Sequence, residues 1–216
     1  MKPLNECFLY TFVDLAYLAN RPPETVAERL CQGGSDLIQL RAKNLTEPEV
    51  RRVAERILPI TSRAGVGLVI NDFPELAQSV GAQVCHLGQE DFFEASHVHR
   101  SAWPTLRDPL RLGLSSHSPS QANRAVAAGA DYVAVGPVFR TGTKPTAEPV
   151  TLELVRWAAH NLTLPWFAIG GINLGNLGSV LEAGARRICV VSAILQAPDI
   201  ADACLQFKRQ LDCQPG

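Results

Sequence analysis

One unit recurs along the chain and constrains its fold more than any single motif. A turn of small residues leads into a short β-rich run, and that run ends in polar residues. It reads "GGSDLIQLRAK" at 33–43, "AGVGLVINDF" at 64–73, "GAQVCHLGQED" at 81–91, "GADYVAVGPVF" at 129–139 and "GARRICVVSAI" at 184–194. "CFLYTFVD" (7–14), "LRLGLSSHS" (110–118) and "LPWFAIGGI" (164–172) fit the same mould, which makes eight candidate strands. Helical patterns lie between them at 23–32, 47–64, 118–129 and 176–184, several followed by a glycine suited to a helix C-cap. Residues 200–213 read as the last helix. Strands alternating with helices over short loops imply parallel βαβ units. Eight of them in 216 residues predict an α/β fold of the (β/α)8 TIM-barrel type, with a doubly wound open sheet as the second choice. No linker or low-complexity stretch interrupts the repeat, so residues 1–216 are expected to form one domain.

Composition narrows the class of function. Lys and Arg number 20 against 21 Asp and Glu, a formal charge of -1, which argues against a nucleic-acid partner. No apolar run approaches the roughly 20 residues that span a bilayer, so no membrane partner is expected. The opening "MKPLNECFLYTFVD" lacks the long apolar core and small-residue cleavage site of a secretory leader. Six cysteines show no C-x-x-C spacing and read as reduced core thiols of a cytoplasmic protein. Nothing in the composition fixes an oligomeric state, which leaves room for a homo-oligomer.

In such a barrel, chemistry sits at the C-terminal ends of the strands, and polar residues gather there. Side chains alternate along a strand, so Gln39, Arg41 and Lys43 share one face while Leu40 and Ala42 face the helices. Three long polar side chains aimed at one mouth suit a polyanion, with Arg41 forking across phosphate oxygens. A salt-bridged strand end is the plainer alternative. Asp72 and Asp91 end neighbouring strands, and two carboxylates beside phosphate describe a Mg²⁺ site. Each is also placed to be a helix N-cap, before "FPELAQSV" and "FFEASHV". Gly170-Gly171 and Val191-Ser192 follow strands 7 and 8, where barrels place a phosphate on backbone N–H groups. Between the two anion sites lies the turn Thr141-Gly142-Thr143-Lys144. His86 is expected to be a hydrogen-bonded structural residue. His117, beside Ser115 near the mouth, is a minor candidate for acid–base work. His97, His99 and His160 read as solvated. Ser115 and Ser116 lack a Gly-x-Ser-x-Gly elbow and are not read as nucleophiles.

Taken together, "IQLRAK", "VINDFPELA", "HLGQEDF", "GLSSHS", "GADYVAVGPVFRTGTK" and "FAIGGIN…AGARRICVVSAI" resemble thiamine-phosphate synthase, in order, over residues 8 to 200. The resemblance implies a transferase that joins a hydroxymethylpyrimidine diphosphate to a thiazole phosphate and releases pyrophosphate. It implies that Gln39, Arg41, Lys43, Asn71, Ser115 and Lys144 bind the pyrimidine diphosphate, and that Asp72 and Asp91 ligate Mg²⁺. It implies that Thr141, Thr143, Gly171, Val191 and Ser192 hold the thiazole phosphate. Arg41, Lys43 and Lys144 would carry the catalysis, stabilising the charge of the leaving group. Three positions depart from the family pattern: Ala42 stands where Glu is usual, Phe73-Pro74 replaces a more polar pair, and the 145–151 loop lacks a glycine. The nearest rival is the thiazole tautomerase group on the same fold, which uses a histidine at the position of His117. A rival of another class is a non-catalytic barrel that binds a phosphorylated ligand. The full set of cations and carboxylates favours the synthase over both.

Overall fold

The computed structural model describes residues 1–94, 97–142 and 148–212. Its centre is a closed barrel of eight parallel strands, each paired with the next, with the eighth paired back to the first. The strands are β1 (Leu9–Asp14), β2 (Leu37–Arg41), β3 (Gly67–Asn71), β4 (Val84–Leu87), β5 (Arg111–Ser116), β6 (Tyr132–Val135), β7 (Trp166–Ile169) and β8 (Ile188–Cys189). All eight lie inside the runs read from the sequence, and the doubly wound alternative falls. Helices α1 (Pro23–Gln32), α2 (Glu47–Arg63), α3 (Pro74–Val80), α4 (Gln89–Phe93), α5 (Pro119–Ala127), α6 (Thr151–Asn161) and α7 (Leu177–Glu182) connect them. A short α8 (Ser192–Leu195) follows β8 and precedes the long α9 (Ile200–Asp212).

Local chemistry explains the element boundaries. Proline stands in the first turn of α1, α2, α3 and α5, where its missing N–H costs nothing. Thr46 and Glu49 close a capping box on α2, with the Thr46 N–H donating to Glu49 at 2.8 Å. Ser118 caps α5 by accepting from the Gln121 N–H at 3.2 Å.

Two apolar layers result from strand alternation. Outward residues such as Ile38, Leu40, Ile70, Leu112, Val133 and Ile188 pack against the helices, and Ala42 joins them. This agrees with Leu40 and Ala42 facing away from the mouth. Inward residues Tyr10, Phe12, Leu37, Val69, Val84, Tyr132, Phe167 and Cys189 fill the lower barrel. Cys7, Cys31, Cys85, Cys189 and Cys204 are free thiols, and all but Cys31 are fully buried. Burial pushes the thiols of Cys7 and Cys31 up to about 11 and that of Cys204 to about 12. The four buried thiols are core groups, as expected, Cys31 packs half-buried against the core, and Cys213 lies outside the described residues.

At the bottom of the barrel Asp36, 4% exposed, accepts from the N–H groups of Phe8 (2.9 Å) and Leu9 (3.0 Å). The same carboxylate pairs with Lys2 at 2.9 Å and Lys208 at 3.2 Å. One buried acid thus ties together the first residues, β1 and α9. No helix among the described residues is long and apolar enough to cross a membrane.

Candidate active site

A cavity opens at the C-terminal ends of the strands and encloses about 970 Å³, counting the space open to solvent at its mouth. Gln39, Arg41, Lys43, Asn71, Asp72, Asp91, Ser115, Thr141, Gly171, Val191 and Ser192 all line it. The ends of seven strands, β2 to β8, therefore bring together every described residue expected to bind substrate or metal. Thr143 and Lys144 lie outside the described residues.

Register explains the cationic wall. Asp14 on β1 pairs directly with Arg41 on β2, so both side chains point inward at the same level. Arg41 donates to the Asp14 carboxylate at 2.8 Å, and Asp14 also accepts from the Ala16 N–H at 3.1 Å. The Asp14 side chain is only 2% exposed and that of Arg41 15%, so the pair is largely withdrawn from water. One edge of the guanidinium is held, which leaves the others for the cavity. Asp14 was missed in the sequence. The rule of polar strand ends, applied to "TFVD", would have found it.

Beside this pair Lys43 contacts Asp72 at 2.5 Å, with side chains 46% and 21% exposed. The salt-bridged reading of this strand end is thus partly realised. Asp72 has a left-handed backbone, φ 67°, and its N–H donates to the His86 carbonyl at 3.0 Å. Aspartate tolerates that conformation better than most residues. Neither aspartate is an N-cap: Phe73 caps α3 and Gly88 caps α4. Asp91 sits one turn in, and its carboxylate accepts from the Gly88 N–H at 3.2 Å. Two carboxylates on one wall fit Mg²⁺, which takes one or two such ligands and completes its shell with phosphate oxygens and water. Among the described residues, no group of three or more His, Cys, Asp or Glu could hold a metal by itself.

The opposite wall is built from backbone. After β6 the chain runs along the end of β7, with Val138 N–H donating to Ile169 O at 2.8 Å and Phe139 N–H to Gly170 O at 3.0 Å. Gly170 (φ 104°) and Gly171 (φ 66°) make this approach possible. A Cβ on Gly170 would lie 2.4 Å from Pro137, and one on Gly171 2.5 Å from the Arg140 carbonyl. Val191 and Ser192 begin the short α8, the extra helix that barrels of this type use at a phosphate site.

The floor is aromatic and polar together. Gln39 donates to the Tyr10 hydroxyl at 2.5 Å, which meets the Tyr132 hydroxyl at 3.0 Å. Tyr132 meets His86 Nδ1 at 2.9 Å, and His86 Nε2 meets Ser115 Oγ at 3.0 Å. His86 is hydrogen-bonded, as expected, and it also lines the cavity. Burial raises the hydroxyl pKa of Tyr10 and of Tyr132 well above the usual phenol value. His117 lines the cavity too, its Nδ1 bonded to the Gly136 carbonyl. Ser116 faces away and donates to Ser118 O at 3.2 Å. His99 and His160 are exposed, but His97 is half-buried and stacks on Trp103 with ring centroids 4.3 Å apart. That corrects the solvated reading of His97, which missed the aromatic pocket formed by Phe92 and Trp103.

The family model described as thiamine monophosphate synthase matches residues 9–194. The chain belongs to the thiamine monophosphate synthase family. A thiamine-phosphate synthase of Thermus thermophilus is 46% identical over 185 residues, covering 85% of this chain and 86% of that protein. One from Halalkalibacterium halodurans is 36% identical over 207 residues, covering 94% and 95%. The solved thiamine phosphate pyrophosphorylase of Pyrococcus furiosus superposes with a TM-score of 0.84 at 28% identity, covering 98% of each chain. Membership makes the chain an enzyme of thiamine biosynthesis, a transferase on a barrel.

Proposed function

We propose that the enzyme joins a hydroxymethylpyrimidine diphosphate to a thiazole phosphate, giving thiamine phosphate and pyrophosphate. One observation carries the reading: Arg41, Lys43, Asp72 and Asp91 line the cavity from the ends of β2 to β4, across the barrel from Gly171 and Ser192 after β7 and β8. Two anion sites facing each other across one cavity suit a diphosphate and a monophosphate held end to end.

In this reading Gln39, Arg41, Lys43, Asn71 and Ser115 bind the pyrimidine diphosphate, and Thr141, Gly171, Val191 and Ser192 bind the thiazole phosphate. Thr143 and Lys144 are assigned by resemblance to the thiazole phosphate and to the departing diphosphate. Asp72 and Asp91 would hold Mg²⁺, whose chemistry is to neutralise charge on phosphate oxygens. The bond between the pyrimidine methylene and the diphosphate oxygen breaks, and its electron pair leaves with the diphosphate. The thiazole nitrogen then uses its lone pair to form the new C–N bond. Charge grows on the leaving group, so Arg41, Lys43 and Lys144 act by electrostatic stabilisation. No protein nucleophile takes part.

The test is product formation by the purified protein with both substrates and Mg²⁺. Thiamine phosphate and pyrophosphate should appear in equal amounts, and a chelator should stop both. Isomerisation of a thiazole tautomer without coupling would replace this reading with the tautomerase one.

A further inference from the structure

We propose that Tyr10, Tyr132 and His86 form a directional hydrogen-bond relay by which the Gln39 amide sets the donor character of Ser115. The relay rests on geometry, and only its bearing on ligand binding rests on the coupling reaction proposed above. Its members come from β1, β6 and β4, and its ends from β2 and β5.

The direction follows from which groups can donate. The Gln39 Nε2 group has only protons to offer, and it donates to the Tyr10 hydroxyl. Among the described residues the Tyr132 oxygen is the one acceptor within reach of the Tyr10 hydroxyl, so Tyr10 donates its single proton there. Tyr132 in turn donates to His86 Nδ1, which must be bare. The neutral imidazole then carries its proton on Nε2 and donates it to Ser115 Oγ. Ser115 is left with its own hydroxyl proton to give, and it lines the cavity. The outcome is a donor at Ser115, and the Gln39 carbonyl oxygen accepts no hydrogen bond from the described residues. Both phenols are fully buried and keep their protons, so the relay does not break at neutral pH.

Gly113 makes the relay possible. On β5 it stands between His86 of β4 and Tyr132 of β6 in register. With no side chain there, the Tyr132 ring lies across the strand and reaches the imidazole, 5.7 Å between centroids. His86 and Tyr132 are therefore positioning residues: they orient Ser115 and Gln39 rather than touch a reacting atom.

The relay makes a prediction no packing role would make. In Gln39→Glu the side chain at 39 is an anion that can only accept. Tyr10 must then donate to it, Tyr132 must donate to Tyr10, and His86 must carry its proton on Nδ1. The experiment is nitrogen-15 NMR of the histidine rings in the full-length protein without substrate, with His86 assigned by loss of its signals in His86→Gln. Wild type should show the Nε2–H tautomer and Gln39→Glu the Nδ1–H tautomer. The double variant Tyr10→Phe/Gln39→Glu should return to Nε2–H, because the phenylalanine cuts the chain. An Nδ1–H tautomer or an imidazolium in the wild type overturns the relay, and so does a Gln39→Glu variant that keeps Nε2–H. If the Gln39→Glu variant does not fold, the wild-type tautomer alone decides. The readout needs no substrate, so its failure is distinct from failure of the coupling reaction.

Discussion

Arg41 shows how much a single side chain depends on its neighbour. Its guanidinium is tethered to a carboxylate with almost no exposure, so its free edge is aimed before any ligand arrives. Arg41→Ala should lower kcat about a hundredfold, the usual effect of losing about 3 kcal/mol of transition-state stabilisation. A change confined to KM would show that the residue binds substrate and transition state alike. Asp14→Asn keeps the shape but weakens the tether. Steady-state kinetics should show a loss of roughly tenfold in kcat/KM, in line with about 1.4 kcal/mol for a charged hydrogen bond. An unchanged value would mean that Arg41 needs no help. Asp72→Ala removes one proposed ligand and also unpairs Lys43. Activity titrated with Mg²⁺ should require far more metal or vanish, and near-normal turnover without added metal would remove the metal assignment. His117→Ala should keep most of its coupling activity between about pH 6 and 9, since attack by the thiazole nitrogen needs no base.

At the scale of elements, β5 is the strand most dependent on a missing side chain. A Cβ on Gly113 would sit 2.1 Å from the Tyr132 ring. Gly113→Ala should therefore destabilise the fold by about 1–3 kcal/mol, the cost of overpacking a filled core, and chemical unfolding would read it as a lower midpoint at unchanged slope. The strands were the most legible part of the molecule, because short β-rich runs between glycine turns leave few alternatives. β8 proved shorter than its run suggested: "VVSAI" turns into a helix at Ser192 to serve the phosphate edge. Helix α6 escaped the sequence reading, yet Leu154, Val155 and Ala158 bury one of its faces at ordinary helical spacing. The polar strand ends announced the site residue by residue. Asp14 was readable by the same rule. The floor was not, since its hydroxyls and imidazole come from separate strands and meet only once the barrel has closed.

The whole molecule responds to acid through the knot at its base. Burial pushes the Asp36 carboxyl up, but the Leu9 N–H, Lys2, the Phe8 N–H and Lys208 together hold it below the ordinary 3.8. A lowered folded pKa means that its contribution is complete above the unfolded value and is lost as pH falls through the folded one. Asp36→Asn should be less stable than wild type at neutral pH, and in thermal melts the gap should begin to close near pH 3.8 and narrow as pH falls further. A constant gap at every pH would show that the charge is not what matters. Above this knot the barrel is closed by its shortest strand. β8 contributes two residues: it meets β7 through Ala168 with Ile188 and Ile169 with Cys189, and β1 only through Leu9 with Ile188 and Tyr10 with Cys189. Val190 hangs from the same joint by one bond to Tyr10 O at 3.0 Å. When such a closed ring breathes, it parts where the fewest rungs cross. The amide protons of Ile188 and Val190 should trade for deuterium well before those of Ile38 and Leu40 on β2, which meets β1 over five rungs. The residues that follow them form the edge proposed to grip a phosphate. A ligand seated there would act as a clasp on the ring, and its arrival should slow that exchange across the joint.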